Sequence, residues 1–481
     1  EVLGARRDQN NVTLDGADVN DNQSAGAFTA VLPVPLDSVQ AFRVTVGGQG
    51  ANQGRSSGGQ VSLVTKSGSN QFHGSLYEFH RNTATSANNW FSNRAGIKRE
   101  ALIRNQFGGS IGGPIKKDRV FFFFNYENRI DASAAAQTRT VPSEALKQGI
   151  ITLQTSDGAT RRLSAQEMTS VIDPQRRGFS PFIKDLLSKY PVGNDDALGS
   201  DAGLNFSGLR FNAPYKLNNK AYVARMDFRL DKDGKHNAYL RGTLADNKED
   251  NNTTGASGLA QFPGQPAASL LLNNSRGGTV NVTSLLRSNL TNSGSISLTR
   301  QGLEQSGATG PRLNLSGISD QINYVRGNGR ILPVWQVVDD ITWMKGSHTI
   351  QTGINFRFVK NDRFNFAPSY PTYGMSRGTM LGLGADITNS ILDHVKSRDG
   401  LPATTGLRNS VPLVNAVGVY LGMITNLDVT FQFDKTGKSI PVGSAQTRSF
   451  KTNQYAFYVQ HSWRATRDLN LTFGLRPGRY S

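Results

Sequence analysis

A short N-terminal run places four side-chain oxygen donors close together, at Asp15, Asp18, Asn20 and Asp21. Carboxylate and amide oxygens are the ligands that hard cations such as calcium prefer. The spacing is not that of an EF-hand, and no glutamate occupies the twelfth position. Because Asp, Asn and Gly are also the usual turn residues, we expect a solvated turn here rather than a metal site.

Glycines spaced as Gly48-x-Gly50-x-x-x-Gly54 follow a strand-like run and could form a phosphate loop. The spacing differs from the dinucleotide-binding fingerprint, and no helical apolar pattern follows it. We therefore expect these glycines to allow tight turns and to bind no nucleotide.

Side chains suited to zinc binding or catalysis are scattered along the chain. There is no Cys and no HExxH motif, and six histidines lie apart, mostly near predicted strand ends: His73, His80, His236, His348, His394 and His461. The carboxylate pairs Asp339-Asp340 and Asp195-Asp196 are expected to be solvated in a lumen or loop rather than catalytic. We predict no catalytic site, no metal and no cofactor, and therefore a protein that is not an enzyme.

The connections between the elements that carry these residues alternate between short and long. Pairs of alternating apolar and polar runs are joined by tight turns, and long polar excursions separate the pairs. Short turns at one rim and long loops at the other are typical of an outer-membrane β-barrel. We predict about 11 antiparallel strands, near residues 72–80, 104–113, 119–130, 217–230, 235–246, 276–284, 289–300, 333–344, 348–361, 453–463 and 468–477.

Each predicted strand has one apolar and one polar face, as in Leu469, Leu471, Phe473 and Leu475 against the residues between them. A soluble β-sandwich also alternates in this way. Strands of about 10 residues and aromatic side chains near the strand ends favour the barrel. Within it, one side of the run Phe121 to Phe124 is expected to face lipid and the other to pack inside the barrel.

The largest insertions, residues 131–216 and 362–452, are predicted to be long loops that carry recognition. Within the first, Ser143 to Ile150 and Ser164 to Tyr190 predict short helices. Within the second, the alternating residues of 427–433 could form an additional hairpin.

The formal net charge of the chain is +17, whereas residues 1–70 are slightly acidic. This distribution is not that of a nucleic-acid patch, and we predict no nucleic-acid partner. A basic lumen and basic loops beside the phosphate groups of outer-membrane lipid and lipopolysaccharide account for the same charge. Four arginines on polar strand faces are candidate lumen-facing ligand-binding residues that favour anionic or polar cargo: Arg225, Arg229, Arg241 and Arg357.

Residues 1–70 are rich in Gly, Asn and Ser and predict a small compact domain ahead of the barrel. The stretches NNVTLDGADVND, LDSVQAFRVTVGGQGANQGRSSGGQVSLVTKSGSNQFHGSLYEF and RNQFGGSIGGPIKKDRVFFFFNYE resemble the plug and first barrel strands of TonB-dependent outer-membrane transporters, particularly the Oar-like branch. The C-terminal NQYAFYVQHSWRATRDLNLTFGLRPG resembles a recurring barrel hairpin of that family. The most specific match is the passage from plug to barrel. The plug-motif residues in these stretches are Asp15, Gly16, Gly58, Gly59, Thr65 and Lys66.

The resemblance implies an all-β, antiparallel transmembrane barrel of about 22 strands with a plugged lumen. The chain is expected to hold the end of the plug (1–70) and the first part of the barrel (71–481). The resemblance also implies a location in the bacterial outer membrane. It further implies import of an unknown extracellular ligand, bound on loops and plug, with energy from the TonB complex. The alternatives are a non-transporting structural or adhesion barrel and a soluble all-β carbohydrate-binding or hydrolytic protein.

Overall fold

The computed structural model describes residues 6, 9–22, 30–46, 50–54, 58–88, 90, 99, 101–173, 175–250, 258–375 and 377–481, without the side chains of 377–385. It contains a small N-terminal sheet, a large antiparallel sheet against which the small sheet lies, and a mixed helical domain at one end of the large sheet.

The N-terminal sheet has the strand order β2-β1-β4-β3. Its strands are β1 (Asn11–Leu14), β2 (Ala17–Asp18), β3 (Val39–Val46) and β4 (Gly59–Thr65). β1 runs parallel to β4, and the other pairs are antiparallel. Burial of a small apolar cluster holds the sheet together, and that cluster consists of Val12, Leu14, Val19, Val31 and Leu32.

The large sheet contains 13 strands. They are β5 (His73–Asn82), β6 (Leu102–Lys116), β7 (Val120–Pro142), β10 (Phe206–Arg229), β11 (His236–Asp250), β12 (Leu270–Asn273), β13 (Arg276–Arg287), β14 (Leu290–Gln305), β16 (Asn328–Lys345), β17 (His348–Asn365), β20 (Gln446–Arg464), β21 (Asn470–Leu475) and β22 (Gly478–Tyr480). The strands pair in the order β21-β20-β17-β16-β14-β12-β11-β10-β7-β6-β5. β13 follows β12 between β11 and β14, and β22 pairs with β20 beyond β21. Among the described residues, the two edge strands of the large sheet, β5 and β21, form no ladder with each other.

The predicted all-β antiparallel class is confirmed, and each of the eleven predicted strands is present. β12 and β22 are additional. The connection between β10 and β11 is Leu230–Lys235, with Gly234 at a φ of 69°.

Several strands continue beyond their predicted ends on the side of the long loops. β7 and β10 remain paired from Val120↔Phe228 to Phe206↔Pro142, so the first insertion begins at 143 and ends at 205 rather than spanning 131–216. The second runs from 366 to 445 rather than from 362 to 452. The extension around 132–140 consists of small and polar residues. It therefore lacks the apolar face that reveals a strand in the sequence.

The two faces of the large sheet differ as predicted. On the outer face, Leu240, Ile296 and Phe457 are about half exposed, while residues such as Val223 and Thr243 on the inner face are buried. The run Phe121 to Phe124 divides in the same way: the first and third rings are buried on the inner side, and Phe124 is exposed.

Three long connections (143–205, 306–327 and 366–445) fold together into one unit, here named the long-loop domain. It contains five helices, α1 (Glu144–Lys147), α2 (Ala165–Ile172), α3 (Pro181–Ser188), α4 (Arg377–Asp399) and α5 (Ser410–Leu421). It also contains short strands β8 (Ile151–Gln154), β9 (Thr160–Leu163), β15 (Arg312–Asn314), β18 (Thr372–Gly374) and β19 (Asn426–Asp428).

Residues from all three connections share one core, for example Leu187, Leu315 and Val417. The helices predicted in the first connection are confirmed as α1, α2 and α3, with the segment before Pro181 outside any helix. The hairpin suggested for residues 427–433 is present only in part, as an isolated antiparallel bridge between Phe433 and Ser439. β19 joins β18 and β15 in a three-stranded sheet of the long-loop domain, because a shorter paired segment packs there. Among the described residues, no helix combines the length and the apolar character needed to cross a membrane.

Glu167 gives the long-loop domain a specific dependence on pH. A backbone hydrogen bond from Ser164 and a bond from Arg398 lower the pKa of the Glu167 carboxyl from 4.5 to about 2. A lowered folded-state pKa stabilises the domain above the unfolded pKa, and this stabilisation is lost as pH falls toward the folded value. Between pH of about 4.5 and 2, the melting temperature of the helical circular-dichroism signal should therefore fall more steeply in the wild type than in Glu167→Gln. Glu144→Gln, at a more exposed carboxylate, is the control; equal slopes in wild type and Glu167→Gln would contradict the assignment.

Adjacent residues on opposite faces of β14 test the orientation of the large sheet. Ile296 points outward and Ser295 inward. An arginine facing hydrocarbon near the bilayer centre costs about 2–4 kcal/mol, whereas one facing a polar lumen does not. Ile296→Arg should therefore lower the urea midpoint of the vesicle-inserted protein much more than Ser295→Arg does. The reverse order would show that the faces are misassigned.

Candidate functional site

The tip of the N-terminal sheet is a two-residue turn that presents a carboxylate. Asp15 and Gly16 have φ values of 50° and 81°, and Leu14 pairs with Ala17 across them. Positive φ at both positions is the geometry of the tight turn that Asp-Gly favours. The Asp15 carboxylate accepts hydrogen bonds from Thr65, the last residue of β4. The backbone N–H of Thr65 donates at 2.9 Å and its hydroxyl donates at 2.8 Å. The turn is thus fixed to the neighbouring strand.

Asp15 also faces two arginines of the large sheet. The Nε of Arg241 lies 3.2 Å from one carboxylate oxygen, and Nη1 of Arg225 lies 3.4 Å from the other. Arg241 donates further to the Leu14 carbonyl at 3.0 Å, and the Tyr239 hydroxyl donates to the Asp15 carbonyl at 3.0 Å. Arg241 is 1% exposed, which makes it the largest fully buried side chain among the described residues.

Two further carboxylates of the same segment repeat this arrangement. Asp18 lies 2.5 Å from Nη2 of Arg357 on β17. Its backbone N–H donates to the Gln336 side chain at 2.9 Å, and its carbonyl accepts from Thr299 at 2.8 Å. Asp21 lies 3.2 Å from Nη2 of Arg330 on β16.

These contacts show that the expected solvated turn is wrong. Asp15, Asp18 and Asp21 are 9%, 5% and 9% exposed. The inner face of the large sheet covers them, and arginines neutralise their charge. Removing a charge from water costs several kcal/mol unless a partner and further hydrogen bonds replace the lost hydration. The described residues include no cluster of three His, Cys, Asp or Glu side chains suited to a metal ion.

Most of the predicted plug-motif residues lie where the N-terminal sheet contacts the large sheet, or next to that contact within the N-terminal sheet. Thr65 binds Asp15, and Lys66 forms an ion pair with Asp37 at 3.0 Å. The backbone N–H groups of Gly58 and Gly59 bond the segment that leads into β1. Of the glycines considered as a phosphate loop, Gly48 lies outside the described residues.

The four arginines proposed from the strand pattern do not all share one place. Arg225, Arg241 and Arg357 contact the N-terminal sheet, whereas Arg229 stacks on Phe121 near a short turn, 5.7 Å from the ring centroid. Sequence reasoning missed Arg330, which lies three residues before the predicted start of its strand. Its even-numbered position matches Gln336 on the same face, a signal that a longer predicted strand would have revealed.

Comparison with known proteins places this geometry in a family. A family model described as "Outer membrane beta barrel domain" matches residues 64–480. The chain belongs to this family. It is a protein of the bacterial outer membrane, as its sequence predicts.

A curated protein and a solved structure are also similar to this chain. Over 139 residues the chain is 32% identical to the TonB-dependent transporter Oar of Myxococcus xanthus, a stretch that covers 26% of this chain and 12% of that protein. The outer membrane transporter YddB from Escherichia coli has the same fold, with a TM-score of 0.52 at 10% identity, covering 98% of this chain and 49% of that one. The resemblance to Oar-like TonB-dependent transporters is confirmed, and the chain spans about half the length of the YddB structure.

Breaking the contact between Asp15 and Arg241 should loosen the N-terminal sheet. Because removing one member of a buried pair leaves the other charge uncompensated, Arg241→Gln should cost about 3 kcal/mol. Asp15→Asn combined with Arg241→Gln should cost less than the sum of the single changes. Each free-energy cost is measured by urea unfolding of the N-terminal sheet, with the protease sensitivity of residues 30–60 as the signal. The control is Lys235→Gln, a change of an exposed residue in a turn. If the costs of Asp15→Asn and Arg241→Gln add strictly in the double variant, the two side chains do not stabilise each other.

Proposed function

We propose that the chain forms part of an energised outer-membrane transporter in which residues 1–70 act as the plug and residues 71–481 as barrel wall and loops. An extracellular ligand binds on the long loops and on the plug. Energy from the inner membrane, delivered by the TonB complex, then shifts the plug and opens a path. Similarity to a TonB-dependent transporter supports this assignment.

The observation that carries the proposal is the polar character of the contact between the N-terminal sheet and the inner face. Arginine–carboxylate pairs and side-chain hydrogen bonds form it, through Asp15, Asp18 and Asp21. Each such group can exchange its protein partner for water when the surfaces separate, so the net cost per contact is modest. An apolar interface of similar size would expose hydrophobic surface to water on opening, which is unfavourable. A polar contact therefore suits a part that must move.

The orientation of the chain follows from the same proposal. The short turns lie in the periplasm, and the long-loop domain lies outside the cell. Loops on a rigid scaffold are the usual carriers of recognition, which assigns ligand capture to this domain. Lipopolysaccharide borders its base. Arg225, Arg229, Arg241 and Arg357 remain candidate contacts for cargo that crosses the lumen once the plug has shifted.

A second candidate is a non-transporting structural or adhesion barrel. The long-loop domain favours it, because a unit with its own core, including Met168, Ile391 and Val417, presents a stable outward surface. In that case the N-terminal sheet would remain fixed whatever the energy state of the cell.

Single cysteines distinguish the two candidates, because the chain contains none of its own. Ser62 lies on β4 of the N-terminal sheet, and Ser188 ends α3 on the exposed surface of the long-loop domain. In living cells, maleimide labelling of Ser62→Cys should rise with energisation and fall with a protonophore or without TonB. Labelling of Ser188→Cys should not change. Energy-independent labelling at both positions would support the structural barrel.

A further inference from the structure

Three arginines stand side by side on the inner face, at its long-loop end. Arg330 of β16 is directly opposite Arg363 of β17, and Arg363 is directly opposite Arg448 of β20. Residues opposed in this way have Cβ atoms about 4.5–5.5 Å apart, and like charges at such positions destabilise a sheet. Arg448 is exposed to solvent, whereas Arg330 and Arg363 are partly buried, so negative charge nearby would stabilise the row.

The row lines a cavity of about 650 Å³ at the long-loop end of the inner face. Arg326, from the connection before β16, adds a fourth guanidinium to its wall, and no Asp or Glu is among the lining residues. Tyr324 and Phe364 supply flat apolar surface in the same wall. The cavity therefore combines several cations with surface for a planar group.

Aromatic rings hold two of these guanidinium groups in place. Arg326 lies 5.3 Å from the Tyr324 ring centroid and 4.8 Å from that of Tyr370, and Arg363 lies 5.3 Å from that of Phe450. Stacking on a ring orients the planar guanidinium. Nη1 of Arg326 also donates to the Ala308 carbonyl at 3.0 Å, and the remaining N–H groups can donate to oxygen anions. The side chains are thus ordered before any ligand arrives.

Among the described residues, one carboxylate forms an ion pair with a member of this group of four arginines. Asp21 pairs with Arg330 at 3.2 Å, and neither Arg363 nor Arg448 has an Asp or Glu within ion-pair distance among the described residues. The arginines predicted from sequence, such as Arg241 and Arg357, differ because carboxylates of the N-terminal sheet neutralise them.

We propose that Arg326, Arg330, Arg363 and Arg448 form a binding site for a small polyanionic ligand that carries carboxylate or phosphate groups and a planar portion. The inference rests on the proposed transport function, in which this cavity opens toward the extracellular side of the plug. A bound anion competes with Asp21 for Arg330. Binding therefore weakens one of the contacts that hold the N-terminal sheet, and by linkage loss of the Asp21 contact strengthens binding.

The trianionic planar dye 8-hydroxypyrene trisulfonate is a suitable probe, measured by fluorescence anisotropy on the purified full chain in neutral detergent. The double change Arg363→Gln with Arg448→Gln should weaken dye binding at least about tenfold, since each charge-assisted hydrogen bond contributes strongly. Arg119→Gln with Arg287→Gln removes the same charge at the short-turn end of the large sheet and should leave affinity within about twofold. Citrate and pyrophosphate should displace the dye. Circular dichroism confirms that each variant is folded.

The competition with Asp21 has its own readout. Asp21→Asn should raise dye affinity several-fold, whereas Asp37→Asn, which alters a carboxylate near Lys66, should not change it. Equal dye affinity in the wild type and in the Arg363/Arg448 variant would overturn the site. An unchanged affinity in Asp21→Asn would overturn the competition. Dye binding needs neither TonB nor an energised membrane, so these results are independent of the Ser62→Cys labelling that tests transport.

Discussion

Buried carboxylates at the tip of the N-terminal sheet are the constraint on which the rest of this structure depends. Three aspartates leave water together, and an unpaired charge in such a place would cost several kcal/mol. Their partners come from four strands, β10, β11, β16 and β17. Because a one-residue slip would turn an arginine to the opposite face, the ion pairs also specify the register of these strands.

The need to pair these carboxylates also explains why the two faces of the large sheet, the barrel wall, differ. An inner face that must present arginine, glutamine and threonine side chains leaves the alternate residues to meet the outside, and those are apolar, as at Leu240 and Ile296. At the long-loop end the wall rises beyond this apolar zone. There β7 and β10 continue as a paired ribbon, and Val141, Phe206 and Leu209 of this ribbon pack in the core of the long-loop domain.

Much of this arrangement could be predicted from the sequence, because strands and caps are local signals. Alternation revealed the strands and divided Phe121 to Phe124 correctly between the faces, and the serines before α1 and α2 marked the helix starts. The ion pairs could not be predicted, since Asp15 and Arg241 are far apart in sequence and nothing local links them. The long-loop domain was missed for a similar reason: its core draws on several connections that are far apart in sequence, including Phe262 from the connection between β11 and β12. In addition, α5 is buried all round and lacks the amphipathic stripe by which a surface helix is recognised.

Hydrogen exchange of the backbone amides tests most directly whether the three carboxylates hold the N-terminal sheet in place. In a variant with Asp15→Asn, Asp18→Asn and Asp21→Asn, the amides of β1 and β4 should lose protection together, while those of β16 and β17 keep theirs. Unchanged protection of β1 and β4 in the folded variant would contradict the account, because some other interaction would then hold the sheet against the wall.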